Sequence, residues 1–416
     1  MPASHFRKNP FVYGRILTAE DAACARPALE SRIAVTVRDN ARMALVGERR
    51  MGKSSAVSRT LQLMKFPVLR LNFHEVVDLS DAVIRTVDEV ERFVRDRNPV
   101  TRRLAPWLRE FGIDLREIRA RISGLEISLA AQSTDNLKRI FGKIRDLANR
   151  SQFALFIDEL QDLRDRLPEA TADAAFAIIR GEVQYMSKIP VFFAGSARES
   201  FMLLFTSDAS PFYEHAPLVA VEPVPDGEME KFIERQFALG AGIDPAAAQL
   251  ICRIAGGSTN DVQRLGYETW NEQLATGQKA SSATVQRAFE KVLRDTTAYG
   301  EKWLSDLSSK QLRVVFAVAF LEHLGASSAQ FLEFAGVRNP GGITSSLAAL
   351  TKGKEALIEK VGSRFRFRSR FARLWFALRY YRVQALIPAM RDEAEYRRVL
   401  TPLLPPLPFD PLKPTP

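Results

Sequence analysis

The sequence predicts an α/β fold with a parallel sheet between layers of helices, and three observations support this prediction. Short apolar runs alternate with longer helical patterns through the first half of the chain, as in β-α-β units. The stretch GERRMGKSS, at 47–55, has the spacing G-x-x-x-x-G-K-[ST] of a phosphate-binding loop. The apolar run FALFIDEL, at 153–160, ends in two adjacent acids, which is typical of a strand that reaches a ligand site at the carboxyl edge of a sheet.

The phosphate-binding loop is the strongest single motif. ARMALVG, at 41–47, predicts a short strand that enters the loop, and SSAVSRTLQLM, at 54–64, predicts the helix that leaves it. In such a loop the glycines let backbone N–H groups surround an anion, a lysine reaches the terminal phosphates, and a hydroxyl can ligate Mg²⁺. The predicted nucleotide-binding residues are Gly47, Glu48, Arg49, Arg50, Met51, Gly52, Lys53, Ser54 and Ser55.

The two acids after the apolar run supply the other half of a predicted ATPase site. Asp158 would hold Mg²⁺ together with Ser54, and Glu159 would polarise the attacking water, with Lys53 at the phosphates. A further apolar strand at 66–73 lies between the two motifs. This order favours the P-loop NTPases that insert a strand between the motif strands and use a catalytic glutamate (the ASCE branch) over kinases and GTPases.

A later apolar strand, IPVFFAGSARES at 189–200, ends in small polar residues. Ser196 at its tip is the candidate for sensing the γ-phosphate, and the alternative is a serine that merely ends a strand and begins a turn. Arg198 is a second catalytic candidate that would contact phosphate or a neighbouring subunit, and a solvated surface arginine is the alternative.

The pattern changes twice after the sheet. From about 224 only helices are predicted, with Asp226 as an N-cap and Pro245 in a first helical turn, which indicates a helical lid. From about 301 three helices precede a hairpin that turns at 361–363, the order of a winged helix. The predicted domains are an N-terminal segment at 1–27, an ATPase core at 28–223, a helical lid at 224–300, a winged-helix domain at 301–391 and a proline-rich tail at 392–416.

Positive charge is concentrated near the C-terminal end. The whole chain has a formal net charge of +10, and 351–391 holds 11 Lys and Arg against two acids. Such a concentration favours a polyanionic partner, most often nucleic acid, and the predicted hairpin alternates arginine with phenylalanine. A solvated hairpin and a protein-binding surface are the alternatives. The predicted DNA-contacting residues are Lys352, Lys354, Arg364, Arg366, Arg368 and Arg370.

Composition excludes several other classes. No apolar run has the roughly 18 residues that a membrane span needs, and the first ten residues lack the apolar core of a signal peptide. The two cysteines, Cys24 and Cys252, form neither a disulfide framework nor a metal motif, so a reduced, cytoplasmic location is expected. The four histidines are scattered, and the sequence has no HExxH motif, no Cys/His cluster and no nucleophile elbow, so metalloproteases and hydrolases with a nucleophile elbow are without support.

Several of these motifs together resemble a known family. FVYGR, GERRMGKSS, FIDELQDL, AGSARESF, GGSTNDVQRL and the terminal winged helix are similar to the STAND-class ATPases often called the archaeal ATPase family, which are close to the AAA+ origin-recognition and transposition ATPases. The resemblance covers roughly residues 9–385. Its most specific elements are the arginine pair Arg49-Arg50, followed by Asp158, Glu159 and Gln161.

The resemblance implies ATP and Mg²⁺ as cofactors, slow regulated hydrolysis, and switching of a partner. It carries over Lys53 and Ser54 as phosphate and Mg²⁺ ligands, Asp158 as Mg²⁺ ligand and Glu159 as base. Two alternatives to a regulatory ATPase stay open: a DNA-binding adaptor or loader that uses ATP mainly for assembly, and a protein-binding switch without DNA contact. The resemblance leaves monomer and homo-oligomer open.

The sequence departs from the family at several positions. His215 stands where the family often has an arginine finger, so Arg180 and Arg198 become the candidates for that role. Ser369-Arg370 replaces an Asp-Pro pair of the winged domain, which adds positive charge. In AAA+ relatives a lid arginine reads the γ-phosphate; Arg264 is the candidate here, and an exposed helical arginine is the alternative.

Overall fold

The core is a five-stranded parallel sheet. The computed structural model describes residues 8–74, 76–97, 134–196, 199–351 and 356–383. The strands are β1 (Arg42–Gly47), β2 (Val68–Asn72), β3 (Ala154–Asp158), β4 (Val191–Ser196) and β5 (Leu218–Ala220), in the spatial order β2-β3-β4-β1-β5. Every neighbouring pair is parallel, so all five carboxyl ends meet at one edge. The predicted parallel sheet is confirmed.

Helices cover both faces of the sheet. They are α1 (Pro27–Arg38), α2 (Lys53–Leu63), α3 (Leu79–Arg97), α4 (Thr134–Arg150), α5 (Asp162–Arg166), α6 (Glu169–Val183) and α7 (Glu199–Thr206). On one face Phe156 and Phe192 pack with Val57 and Leu61 of α2. On the other, Leu155 and Phe193 pack with residues of α3, α4 and α6. Strands buried on both faces are continuously apolar, which is why they were recognisable in the sequence.

The second unit is helical. It contains α8 (Asp226–Phe237), α9 (Pro245–Ala255), α10 (Thr259–Thr276) and α11 (Ser282–Asp306). Pro245 occupies the first turn of α9 as predicted, whereas the prediction for Asp226 was wrong, because Pro225 is the N-cap and Asp226 is the first helical residue. The predicted division at residue 300 falls inside α11. This helix is continuous because Phe289 packs in the lid while Trp303 packs on the C-terminal unit.

The C-terminal unit contains α12 (Ser309–Leu321), α13 (Ala329–Phe334), α14 (Gly341–Thr351), the antiparallel hairpin of β6 (Ile358–Val361) and β7 (Arg364–Phe367), and α15 (Arg370–Val383). Three helices followed by a hairpin is the order that the sequence predicts. The hairpin turns at Gly362, whose φ of +60° suits glycine. Phe367 is buried against the helices, and Arg364 is exposed.

Some predictions lie outside the described residues. They concern part of the charged segment between the two motif strands, Arg198, Lys352, Lys354 and the proline-rich tail. Within the described ranges, no helix combines the length and apolar character that a membrane crossing requires.

Candidate functional site

The loop between β1 and α2 is shaped by two glycines. A Cβ on Gly47 would lie 2.8 Å from the carbonyl oxygen of Val221, so no larger residue fits without a shift of the backbone. Gly52 has a φ of +84° and immediately precedes α2, and Arg50 also takes a positive φ of 65°. The chain therefore wraps back on itself and presents the N-terminus of α2 to the carboxyl edge of the sheet, the arrangement that binds phosphate groups.

Lys53 is held inside this loop. Its side chain is buried, and Nζ donates to the carbonyl oxygens of Gly47 at 2.9 Å and Glu48 at 2.8 Å. Burial lowers the pKa of Lys53, and the nearby carboxylates of Glu159 and Asp158 oppose that shift. The ammonium group is thus placed between the loop and the acids that the sequence predicted as its partners.

Asp158 ends β3 and lies directly beside α2. Its Oδ2 accepts hydrogen bonds from Ser54 Oγ at 2.7 Å and from Arg70 Nη2 at 2.5 Å. Its Oδ1 is buried and has no hydrogen-bond partner among the described residues. Burial raises the pKa of Asp158, and the positive charge of Arg70 opposes that shift. A hydroxyl and a buried carboxylate with one uncommitted oxygen form a donor set that suits Mg²⁺, which prefers oxygen ligands.

Glu159 follows with a φ of 54°, which turns its side chain away from the line of the strand and into the cleft. Its Oε2 accepts hydrogen bonds from the backbone N of Ser196 at 3.3 Å, from Ser196 Oγ at 3.2 Å, and from the buried amide of Gln161. Ser196, predicted as a phosphate sensor, therefore contacts the predicted base from the neighbouring strand.

A chain of polar contacts joins the loop to this base. Arg49 Nη2 lies 3.2 Å from His74 Nε2, and His74 Nδ1 lies 3.2 Å from Asp162 Oδ2. Because arginine can only donate, this pairing places the ring proton of His74 on Nδ1. Gln161 Nε2 also lies 3.3 Å from Asp162 Oδ1, so Gln161 connects Asp162 to Glu159. His74 was not predicted as part of the site.

The N-terminal segment forms one wall of the cleft. Leu17 N donates to Ser55 Oγ at 3.2 Å, and Val12 N donates to Gln263 Oε1 of the lid at 3.0 Å, so the segment spans both units. Arg26 Nη2 donates to the carbonyl oxygen of Met51 at 2.8 Å. The cleft has a volume of about 310 Å³, at the lower end of the range for small-ligand sites. Its lining combines the loop, Glu159 and an apolar wall of Val12, Ile16, Leu17, Met229 and Phe232.

The C-terminal hairpin contacts the loop directly. Arg366 lies between two carboxylates, with Nη1 at 2.5 Å from Glu48 of the loop and Nε at 2.8 Å from Glu359 of β6. Arg50 of the loop reaches the C-terminal unit through Ser369 Oγ at 3.2 Å. These two contacts join the loop to the C-terminal unit.

The residues predicted to contact DNA lie in different surroundings. Arg364 is exposed, whereas Arg366 faces the loop and Arg370 Nε donates to the carbonyl oxygen of Ile254 in the lid at 2.5 Å. Arg368 is half-buried and lines a cavity of about 240 Å³ between the loop, the lid and the hairpin.

Two of the candidates for additional phosphate-reading arginines, Arg264 and Arg180, do not line the cleft. Arg264 lies over the rings of Tyr13 and Phe371, with its guanidinium carbon 5.9 Å and 5.3 Å from their centroids. Arg180 is close enough to His215 for its charge to lower the pKa of the histidine, and so is Arg42, the first residue of β1. Arg180 and His215 therefore lie toward the amino edge of the sheet, opposite the loop.

Two residues of the site, Arg70 and His74, were not predicted from the sequence, and only Arg70 stands in a pattern that could have indicated its role. Arg70 interrupts the apolar strand FPVLRLNF two residues before the end of β2, and a charged residue at that position points to a partner at the carboxyl edge. His74 lies in the loop after β2 and has no local pattern that would single it out.

Comparisons with known proteins agree with this architecture. No family model and no curated protein matches the chain. Among solved structures, the Walker-type ATPase PABY2304 of Pyrococcus abyssi matches with a TM-score of 0.57 and 16% identity, over 87% of this chain and 98% of that one. The Aeropyrum pernix ORC1 protein, solved in complex with DNA, matches with a TM-score of 0.51 and 12% identity, over 88% and 96%. At such low identity the likeness establishes only that this chain shares the fold of these two proteins.

Proposed function

We propose that this chain is an ATP-binding and ATP-hydrolysing regulatory ATPase of the STAND/AAA+ type, which couples its nucleotide state to a C-terminal winged helix. The observation that carries the proposal is the meeting of three side chains from distant parts of the sequence. Lys53 of the loop, Asp158 at the end of β3 and Glu159 beside it share one cleft edge. Phosphoryl transfer needs few other groups, since it depends mainly on positioning and charge stabilisation.

Each residue has a distinct role in this proposal. The backbone N–H groups of 47–55 and the ammonium of Lys53 bind the phosphates of ATP. Ser54 and Asp158 would hold Mg²⁺, which when bound neutralises charge on the phosphates. Glu159 orients a water and accepts its proton, and the two hydrogen bonds from Ser196 keep the carboxylate in place.

The contacts between loop and hairpin support the coupling. Glu48 and Arg50 belong to the loop that would surround the phosphates, and both also touch the C-terminal unit. A change in loop conformation on binding or hydrolysis therefore changes the same side chains that hold the hairpin. The nucleotide state would thereby bias the position of the winged helix.

Two substitutions test the ATPase assignment. Lys53→Ala is expected to abolish binding of a fluorescent ATP analogue, because it removes the buried cation at the phosphates. Glu159→Gln is expected to bind the analogue with near-normal affinity and to lower phosphate release by at least about 100-fold, the scale of general-base catalysis. Lys188→Ala and Glu169→Gln, both at exposed positions, are the matched controls. Equal residual hydrolysis in the Lys53 and Glu159 variants would reject the assignment.

A DNA-binding adaptor or loader that uses ATP mainly for assembly is the second candidate. The concentrated positive charge at 351–391 and the exposed Arg364 favour it. Phosphate-led binding must weaken steeply with salt. We expect duplex DNA to bind at 50 mM salt, to be released as salt rises, and to bind more weakly to Arg364→Glu. Absent or salt-independent binding would eliminate this candidate and favour a switch whose C-terminal unit contacts protein only.

A further inference from the structure

Arg70 is the one charged residue of β2. It lies in the middle of β2, between Leu69 and Leu71, which are both 1% exposed. In the parallel register Arg70 is opposite Phe156, and Asn72 is opposite Asp158. The backbone of Arg70 therefore lies two residues before the carboxyl edge, on the strand that neighbours β3 and its acids.

The side chain of Arg70 extends along the sheet to reach that edge. Its guanidinium carbon lies 5.7 Å from the ring centroid of Phe156, and Nη2 lies 2.5 Å from Asp158 Oδ2. The Asp158 side chain is 3% exposed and the Arg70 side chain 30%. Arg70 thus forms a charge-assisted hydrogen bond with a carboxylate that solvent barely reaches.

The contact involves the carboxylate that a metal site would use. Asp158 Oδ2 accepts hydrogen bonds from Arg70 Nη2 and from Ser54 Oγ, while Oδ1 has no partner among the described residues. A divalent cation held by this carboxylate, through either oxygen, would therefore lie close to the positive charge of Arg70. Arg70 must then move away or repel the cation.

The charge balance leads to the same conclusion. Lys53 and Arg70 both lie close to the carboxyl groups of Asp158 and Glu159, and Arg49 lies close enough to Lys53 to act on its pKa. Among these basic side chains, Arg70 donates a hydrogen bond to Asp158 itself. Removal of Arg70 therefore takes away positive charge beside the proposed metal ligand, and the same edge should attract a cation more strongly.

We propose that Arg70 is a positioning residue that competes with the divalent cation for Asp158 and thereby sets the metal affinity of the site. The proposal rests on the metal assignment of the proposed function. Under this proposal the cation binds well mainly when nucleotide is also bound, because the phosphates supply the negative charge that Arg70 offsets. It also gives a role to a residue outside the lining of the nucleotide cleft.

The test is Mn²⁺ binding followed by electron paramagnetic resonance at pH 8, without nucleotide, in full-length protein. Arg70→Gln removes the charge and is expected to lower the dissociation constant for Mn²⁺ by roughly tenfold or more, because it takes away a positive charge that is hydrogen-bonded to the proposed metal ligand Asp158. Arg70→Lys keeps a cation and is expected to stay closer to the wild type. Arg42→Gln, on the amino end of β1, is the matched control and is expected to leave the Mn²⁺ affinity unchanged.

A second readout excludes a purely structural effect. The Mg²⁺ concentration that gives half-maximal binding of a fluorescent ADP analogue is expected to fall in Arg70→Gln, while binding in EDTA stays unchanged. Circular dichroism confirms that each variant is folded, and Arg70→Met replaces Arg70→Gln if the latter unfolds.

Asp158→Asn separates the two proposals. If Asp158→Asn loses Mn²⁺ binding and Arg70→Gln binds it no better than the wild type, the role of Arg70 is wrong and the metal site stands. Full Mn²⁺ affinity in Asp158→Asn would overturn the metal assignment, and the role of Arg70 with it.

Discussion

Removal of Arg366 should destabilise the C-terminal unit far more than an ordinary surface ion pair would. The Arg366 side chain is 21% exposed and pairs with Glu359, which is 7% exposed and has one buried carboxylate oxygen without a partner among the described residues. Arg366→Ala leaves this buried charge uncompensated, which costs roughly 3–5 kcal/mol. The second partner, Glu48, is 51% exposed, so Glu48→Gln should cost only about 0–1 kcal/mol.

A double substitution separates charge from packing. In Arg366→Met with Glu359→Leu, apolar side chains of similar size replace the buried pair, and such replacements are often neutral or stabilising. This variant should therefore recover most of the stability that Arg366→Ala loses. Burial lowers the pKa of Arg366, but the two carboxylates outweigh burial and the pKa is raised, in keeping with their pairing.

Urea denaturation followed by tryptophan fluorescence measures these differences, since Trp303 and Trp375 pack in the C-terminal unit. Hydrogen exchange of peptides from 356–368 locates the change in the hairpin. If Arg366→Ala loses less than about 1 kcal/mol, or no more than Glu48→Gln, the buried charge is not what Arg366 compensates and the reasoning fails.

Two further predictions concern the loop and the amino edge of the sheet. Gly47→Ala would place its Cβ 2.8 Å from the carbonyl oxygen of Val221, so we expect the variant to lose about 1–3 kcal/mol of stability and to lose binding of the ATP analogue. Gly227→Ala has open space around its Cβ and should be neutral or slightly stabilising. Thermal shift and analogue titration check both variants, and normal binding by Gly47→Ala would contradict this account of the loop. Burial, reinforced by the charge of Arg42, lowers the pKa of His215 from 6.5 to about 4. As the pH falls, the unfolded chain therefore takes up a proton before the folded protein does, so the stabilising contribution is complete above about pH 6.5 and is lost as the pH drops toward 4. His215→Phe should flatten the slope of melting temperature against pH over this range, and an unchanged slope would refute the prediction.

The elements of the core could be predicted because their signals are local. β3 and β4 are buried on both faces, so each is a continuous apolar run, and the glycines of the loop stand at fixed positions along the chain. The end of the lid was harder to place. α11 contributes to two apolar clusters, and a helix that serves two units shows no change of pattern at the point where one unit ends and the next begins.

The sequence by itself determined the class of fold and predicted the residues that would bind a triphosphate and its metal, because strand burial, loop glycines and paired acids are properties of short segments. The tertiary structure alone decided how these residues are paired. Arg70 meets Asp158 across 88 residues, and Arg366 of the hairpin meets Glu48 of the loop. In the sequence, Arg70 is only a charged residue inside an apolar strand, and Arg366 is only one member of a row of basic residues. The partner of a charge depends on which elements pack side by side, and that packing minimises the free energy of the whole chain rather than of any one segment.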